Sequence, residues 1–468
     1  MAHYEELAKL LRRQIRNGSF KVGEKLPSIR GLSKETGRSI TTVVNALRQL
    51  EGEDLITSRP KSGYVVNRHK KPEAGSKSAG PRPTPTLVGI AGQVQEHLRE
   101  TTNSGLVPFG RAWPPTDLLP ERGLASAVRS ALRTNSRRPS VLAYEMPPGI
   151  FDLREQLARR SGGWGCPLEA DDFIITVGCT EAIQLALLAT TKPGDTVAVE
   201  SPTFFGILQM LAQLGLRALE IPSHPTDGMN LDVLKRMTKK YRVAAILSIP
   251  SFNNPIGSCQ PQSHRKALVE VADIADIPII EDDLYGDLAL DEQRPWVVKH
   301  HDQENRVLLC GSFSKSLGPG LRVGWIAPGR YYDKVIAAKL GSTYASPTLM
   351  QIAVAEFLKS GAYDRHLRAM RRSCGERLSI YRSAILQSFP SEVRVSDPNG
   401  GFLLWLELPE EFAAWDIYRS ALHKGISIAP GPLFTAKGNG MSHHIRLHGA
   451  LPVNQRHLQA IKELGQLF

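Results

Sequence analysis

The most chemically suggestive stretch of the chain is Gly311-Ser312-Phe313-Ser314-Lys315-Ser316-Leu317-Gly318-Pro319-Gly320-Leu321-Arg322-Val323-Gly324-Trp325. A lysine on a polar, glycine-rich turn directly after an apolar run can present one amine for a Schiff base, and the arginine seven residues on can present a guanidinium to a phosphate. Ser312 and Lys315 also satisfy the Ser-x-x-Lys of penicillin-binding enzymes. That pattern lacks its partners here: Lys61-Ser62-Gly63 lies far upstream, and no Ser-Asp-Asn follows Ser312.

The Schiff-base reading gains from residues that recur, in order, at the ends of other apolar runs. Pyridoxal phosphate needs a carboxylate facing its ring nitrogen, so that the ring stays protonated and draws electrons. Asp282, in Ile280-Glu281-Asp282-Asp283-Leu284-Tyr285, meets that need. Tyr285 and Asn254, the latter in Asn253-Asn254-Pro255, can hydrogen-bond the ring's phenolic oxygen and tune the acidity of the bound amine. Val177-Gly178-Cys179-Thr180-Glu181 marks a strand-to-helix turn, where free N–H groups and the helix dipole receive an anion. Phe204 can stack on the ring. Taken singly, Asp282 is one carboxylate in an acidic turn and Asn254 a turn residue before proline; the ordered set makes a site. Lys315, Asp282 and Tyr285 are its candidate catalytic groups.

These residues need a scaffold of strand ends. Short β-rich runs at 173–177, 196–199, 244–249, 278–280 and 307–310 alternate with amphipathic segments such as 203–214 and 262–274, which predicts a mainly parallel sheet covered by helices. From about residue 363 the pattern changes to a long charged helix, then strands near 402–408, 426–429 and 445–447 with further helices, a smaller α+β lobe. Upstream, Leu7, Leu10, Leu11 and Ile15 recur at helical spacing before Gly18. Ser28 reads as the N-cap of a second helix ending at Gly37, and Val43, Val44, Leu47 and Leu50 as the buried stripe of a third. Two short strands, 55–58 and 64–67, complete a winged helix-turn-helix. Residues 70–86, KKPEAGSKSAGPRPTPT, have no apolar period and read as a solvated tether. The predicted division is a DNA-binding domain at 1–70, a linker at 71–86 and a cofactor-binding α/β domain at 87–468.

The charge is concentrated. Residues 1–71 hold 15 Lys and Arg against 7 Asp and Glu, most of the formal +12 of the 468-residue chain, which points to a polyanion partner, nucleic acid rather than a membrane surface. A recognition helix must present short polar or forked side chains at its N-terminal end, with cations nearby for phosphates. Arg38, Ser39, Thr41, Thr42 and Asn45 suit the first role, Arg30 and Lys61 the second, and Gly63 a close approach of the wing tip. A hydrophobic content of 41% with 22% charged residues excludes disorder throughout. No apolar run nears the roughly 18 residues of a membrane span, and Met1-Ala2-His3-Tyr4-Glu5-Glu6 lacks a signal-peptide pattern, so the cytoplasm is the expected location, with no membrane partner. The five cysteines form no CxxC pair, and His300-His301 and His443-His444 are adjacent and expected to point apart, so no disulfide framework and no metal site is expected.

Residues 1–70 resemble the winged-helix domain of GntR-type transcription regulators, through Leu26-Pro27-Ser28-Ile29-Arg30-Gly31-Leu32, then Thr42-Val43, then Lys61-Ser62-Gly63-Tyr64. Gly37-Arg38-Ser39-Ile40-Thr41-Thr42 departs from that family's frequent Val-Ser-Arg turn, so base specificity does not carry over. Residues 105–468 resemble the class I/II aminotransferases of the aspartate aminotransferase fold. That resemblance implies Lys315 as the Schiff-base lysine, Asp282 at the pyridine nitrogen, Tyr285 and Asn254 at the phenolic oxygen, and Cys179, Thr180, Ser312 and Arg322 as the phosphate cradle. It further implies Phe204 as the stacking aromatic, Tyr144 as a tyrosine reaching the phosphate of a neighbouring subunit, and Arg446 as the clamp of a substrate α-carboxylate. Cys179 stands where serine or alanine is usual, and Glu181 where glutamine is frequent.

The two parts in this order are similar to the MocR subfamily. The resemblance implies a homodimer exchanged head to tail, winged helices on DNA repeats, and a cofactor domain that senses pyridoxal phosphate, an amino acid or an amine. The rival expectation is an active aminotransferase with an appended DNA-binding domain; a third is an aminotransferase fold that serves only as a dimerisation scaffold.

Overall fold

The computed structural model of the chain describes residues 3–16, 20, 24–52, 55–59, 63–66, 83–133, 140–291 and 293–468. The chain divides into two compact units, residues 1–77 and 78–468.

In the first unit, α1 (His3–Arg16), α2 (Ile29–Thr36) and α3 (Ile40–Gly52) precede the hairpin of β1 (Ile56–Arg59) and β2 (Gly63–Val66). Ser28 Oγ accepts the Gly31 N–H at 3.0 Å, and Gly37 ends α2 at φ +66, where a side chain would be strained. Leu7, Leu11, Leu32, Val43, Leu47 and Leu50 fill the core. Val44, expected in the stripe, is only half-buried; Ala46 is buried instead, because a 3.6-residue period carries the inward face through 43, 46, 47 and 50. The hairpin gains an edge that sequence reading misses: the Leu26 N–H donates to Tyr64 O and the Val66 N–H to Glu24 O, both at 2.9 Å. The approach to α2 is thereby tied to the wing.

The second unit is built on an eight-stranded sheet, in spatial order Ile174–Thr176, Gly324–Ala327, Val307–Ser312, Ile279–Asp282, Val243–Ser248, Thr196–Ser201, Arg217–His224 and Gly228–Met229. From Val307–Ser312 to Arg217–His224 every neighbouring pair is parallel, while Gly324–Ala327 runs antiparallel to both its neighbours. Central parallel strands are covered on both faces, so they read as unbroken apolar runs. Arg217–His224, near the sheet edge, carries Arg217, Glu220 and Pro222 and shows no such run. The helices Phe205–Gln213 and Gln262–Ala275 lie where the amphipathic segments predict them.

The 27-residue helix Ala362–Ser388 leads into the smaller lobe, a four-stranded sheet of Arg394–Val395, Leu403–Glu407, His444–His448 and Ala429–Pro430. The strand expected near 426–429 is split: Ile426–Ser427 pairs with Val107–Pro108, and Ala429–Pro430 with His444–His448. Residues 70–82 of the expected tether lie outside the described residues. Thr86, read as its last residue, already exchanges both backbone hydrogen bonds with Ala218 at 2.9 Å, so the larger unit takes up the chain before residue 87. Among the described residues no helix is long and apolar enough to cross a membrane.

Candidate cofactor site and DNA-binding face

Open α/β sheets bind ligands beyond the carboxyl ends of their strands, and the candidate residues gather there. Cys179 and Thr180 open the helix after Ile174–Thr176, and Phe204 precedes the helix after Thr196–Ser201. Asn254 lies beyond Val243–Ser248, Asp282 closes its strand with Tyr285 just after, and Ser312 closes the strand before Lys315. Arg446 comes across from His444–His448 of the smaller lobe. Fully buried, it donates one Nη–H to Asn254 Oδ1 at 3.0 Å and the other to Gly110 O. Lys315 Nζ stands 5.6 Å from the centre of the Tyr285 ring and donates to Ala112 O. Arg322, at φ +53, donates to Val177 O at 2.7 Å. A Cβ on Gly178 would fall 2.7 Å from that guanidinium, so only glycine lets Arg322 lie against the start of the Cys179 helix.

Burial sets the charges. It lowers the Lys315 amine to about 8, helped by the nearby Arg446 charge and opposed by Asp282. Roughly a tenth of the amine is then neutral at pH 7, as a nucleophile requires. Burial raises Asp282 to about 6, against the Cys179 thiol and the Leu284 N–H, which favour the carboxylate. It lowers Arg446 to about 10. It pushes Tyr285 above the usual phenol range, so its hydroxyl keeps its proton, and among the described residues that hydroxyl has no partner.

In the first unit Thr41, Asn45 and Arg48 are exposed on one face of α3, at i, i+4 and i+7. Sequence reading misses Arg48, although its spacing from Thr41 was the signal. Arg30 and Gly63 are also exposed. Ser39 and Thr42 are committed to the helix rather than free for bases: Ser39 Oγ accepts the Thr42 N–H at 3.2 Å and lies 2.8 Å from Thr42 Oγ1. Arg38 pairs with Glu6 of α1 at 2.8 Å. Lys61 lies outside the described residues.

Residues 3–66 match the gntR family of bacterial regulatory proteins, and residues 118–451 match aminotransferase class I and II. The HTH-type transcriptional regulator YjiR of Escherichia coli K12 is 38% identical over 466 residues, spanning 100% of this chain and 98% of its own. The regulator YdcR of the same strain is 36% identical over 470 residues, spanning 100% and 99%. The chain belongs to the MocR-type GntR regulators. The larger unit of this regulator is similar to LysN, an α-aminoadipate aminotransferase of Thermus thermophilus solved with N-(5'-phosphopyridoxyl)-L-leucine. The TM-score is 0.72, at 30% identity over 80% of this chain and 93% of that one. The cofactor of the regulator is pyridoxal phosphate, and its winged helix binds DNA.

The residues of the regulator fit that cofactor. Asp282 is a buried carboxylate, the Tyr285 hydroxyl is buried without a partner among the described residues, and Gly178 lets the Arg322 guanidinium lie against the N-terminus of the Cys179 helix. Cys179 itself departs from expectation. Its thiol donates to Asp282 Oδ1 at 3.3 Å, so only its backbone N–H is left for the anion cradle. Ser312 Oγ lies 2.8 Å from Ser314 Oγ, Thr180 is exposed, and Phe204 packs 4.8 Å from the Phe205 ring. Tyr144 is 79% exposed, edge-on to Tyr344.

Glu181 is held on Lys339 at 3.1 Å and accepts the Val177 N–H and the Thr343 hydroxyl. His448 is buried: Nδ1 accepts the Ala450 N–H at 3.0 Å and Nε2 donates to Trp113 O at 2.8 Å. The His300 and His301 rings, expected to point apart, meet at 4.6 Å. Wholly unforeseen is the support of the Asn254 loop. The buried Glu200 accepts from the Ser248 hydroxyl at 2.8 Å, the Ile249 N–H at 2.9 Å, the Asn253 amide at 2.8 Å and the Gln260 amide at 3.2 Å.

Proposed function

We propose that the protein is a pyridoxal-phosphate-dependent transcription regulator whose larger unit captures an amino acid or amine and whose winged helix transmits that event to operator DNA. The reading is supported by the closeness of four groups, Lys315 beside the Tyr285 ring with the Asp282 and Arg446 charges near enough to act on both, in a chain that carries a GntR-type domain. When bound, the cofactor supplies a carbonyl that captures amines and a ring that takes up electron density. Lys315 would attach it through an amine that burial helps to shed its proton, and Asp282 would hold a proton on the ring nitrogen. Tyr285 and Asn254 would serve the phenolic oxygen, Phe204 would be the aromatic for the ring, and Thr180, Ser312, Arg322 and the Cys179 N–H would hold the phosphate. Arg446 receives the effector's α-carboxylate on its planar fork.

The exposed Tyr144 supports a head-to-tail homodimer in which it serves the neighbouring subunit's phosphate. Thr41, Asn45 and Arg48 meet base edges, and Arg30, Lys61 and the Gly63 turn meet the backbone. Such a regulator works in the cytoplasm, and regulation requires that the effector bind two arrangements of the protein with different affinity. The likeness to LysN favours a second reading, an active aminotransferase. Following the visible spectrum while amino acids and amines are added separates the two. A band that shifts and holds with one compound, together with altered operator affinity, supports the regulator. A band that bleaches and recovers with a keto acid over many turnovers supports the enzyme, and a colourless protein sinks both.

A further inference from the structure

Glu200 stands near the end of the inner strand Thr196–Ser201, fully buried, and no ion pair joins it to a cation among the described residues. Four donors converge on it instead, the Ser248 hydroxyl and the Gln260 amide on Oε1, the Ile249 N–H and the Asn253 amide on Oε2. A buried carboxylate without a cation is expensive, and glutamine, with an N–H₂ in place of one oxygen, cannot accept all four. The donors belong to one loop. Ser248 and Ile249 enter it, Gln260 leaves it, and Asn253 lies within it. The loop's own backbone closes it further, with the Gln260 N–H on Pro250 O at 2.8 Å and the Asn253 N–H on Ser258 O at 2.9 Å.

Asn253 differs from the other three donors. Its Oδ1 is buried without a partner among the described residues, so its side chain makes one hydrogen bond, the one to Glu200, while leaving an acceptor unsatisfied. The next residue is Asn254, whose Oδ1 takes the Arg446 Nη1–H at 3.0 Å. Among the described residues Asn254 is the one side chain that hydrogen-bonds that guanidinium: its other arm meets a backbone carbonyl, Gly110 O, and its Nε has no partner. We infer that Glu200 is a positioning residue for effector capture: through the Asn253 amide it sets Asn254, and through Asn254 the plane in which the Arg446 fork meets a carboxylate. The inference rests on the reading of Arg446 as the effector's carboxylate clamp. Its signature is selective, because a compound without a carboxylate does not use the fork and so does not feel Glu200.

The test follows the visible band of the full-length protein, saturated with pyridoxal phosphate, during titration with pairs of compounds that differ only by a carboxylate: L-leucine and isoamylamine, L-phenylalanine and phenethylamine, L-lysine and cadaverine. Glu200→Gln is expected to weaken capture of the amino acids at least tenfold and to leave the amines within about twofold. Asn253→Leu removes one bond while leaving the Glu200 charge and its other donors in place; it is expected to do the same, and it keeps the test decisive if Glu200→Gln fails to fold. In an Asn254→Ala background either substitution is expected to add less than about twofold, because the route to Arg446 is already cut. Equal loss for amino acids and amines, full additivity with Asn254→Ala, or undiminished amino acid capture by Asn253→Leu overturns the inference. Failure of the clamp reading looks different: Arg446→Lys would then capture amino acids as well as the wild type does, and the inference falls with it.

Discussion

Arg446 and Asn254 are joined by a 3.0 Å hydrogen bond that crosses from the smaller lobe's sheet to the loop beyond Val243–Ser248. The guanidinium is thereby oriented before any carboxylate arrives, and its pairing with Gly110 O fixes the second arm. Lysine keeps the charge but loses the planar fork. Arg446→Lys is therefore expected to weaken capture of amino acids at least tenfold, about 1.4 kcal/mol or more, and to leave amines without a carboxylate unaffected. Absorbance titrations with both classes check this, and equal loss for the two would refute the clamp.

Lys315→Ala is expected to remove the visible band. In the cofactor-free wild type, the rate of pyridoxal phosphate uptake is expected to rise with pH through about 8, because the attacking amine must shed its proton and burial lowers its value to that range. Stopped-flow absorbance reads the midpoint; one near 10.5 would mean that burial does not activate the amine.

Acid should strip the cofactor. The folded-state value of Asp282, about 6, is raised from 3.8 by burial. A raised value means that its contribution to stability is fully present below 3.8 and lost as pH rises through 6, so acid does not unfold the apoprotein through this group. Holding a protonated ring nitrogen needs the carboxylate, so cofactor affinity is expected to fall as pH drops below about 6. Asp282→Asn should be weak at every pH. Retained absorbance after gel filtration between about pH 5 and 8 decides it.

Lys339→Met strands Glu181 in a buried place. The expected loss is about 3–5 kcal/mol in urea unfolding, with much of it recovered in Glu181→Gln/Lys339→Met. If the double variant is as unstable as the single one, the ion pair is not what makes glutamate tolerable at 181.

Two substitutions in the first unit should behave differently on DNA. Arg30→Ala is expected to weaken binding to all sequences alike and to reduce the salt slope by about 1, whereas Asn45→Ala should cost about 1–3 kcal/mol on the operator alone. Fluorescence anisotropy at several salt concentrations separates a phosphate contact from a base contact.

The crevice was legible because Asp282 and Lys315 directly follow apolar runs, and a parallel sheet puts such strand ends side by side. Side-chain direction was not legible. Position 179 is assigned correctly to a helix start, but whether its thiol turns to the anion cradle or to Asp282 depends on a rotamer that packing selects. Glu200 reads as one more strand-end carboxylate, and only the folded loop brings four donors to it. Arg48 stands in a polar helix where any cation looks like a solvating one.

Lys315 and Arg322 hang from a single β-hairpin, because Ser312 is paired directly with Gly324. The ladder between Val307–Ser312 and Gly324–Ala327 closes the loop on both sides, so the interval between the amine and the guanidinium is set by register. Removing one residue from 313–323 would force the returning strand to slip by one, and with a two-residue period every side chain on it would turn to the other face. Evolution can therefore rewrite the residues of this loop, but its length is heritable only as a whole.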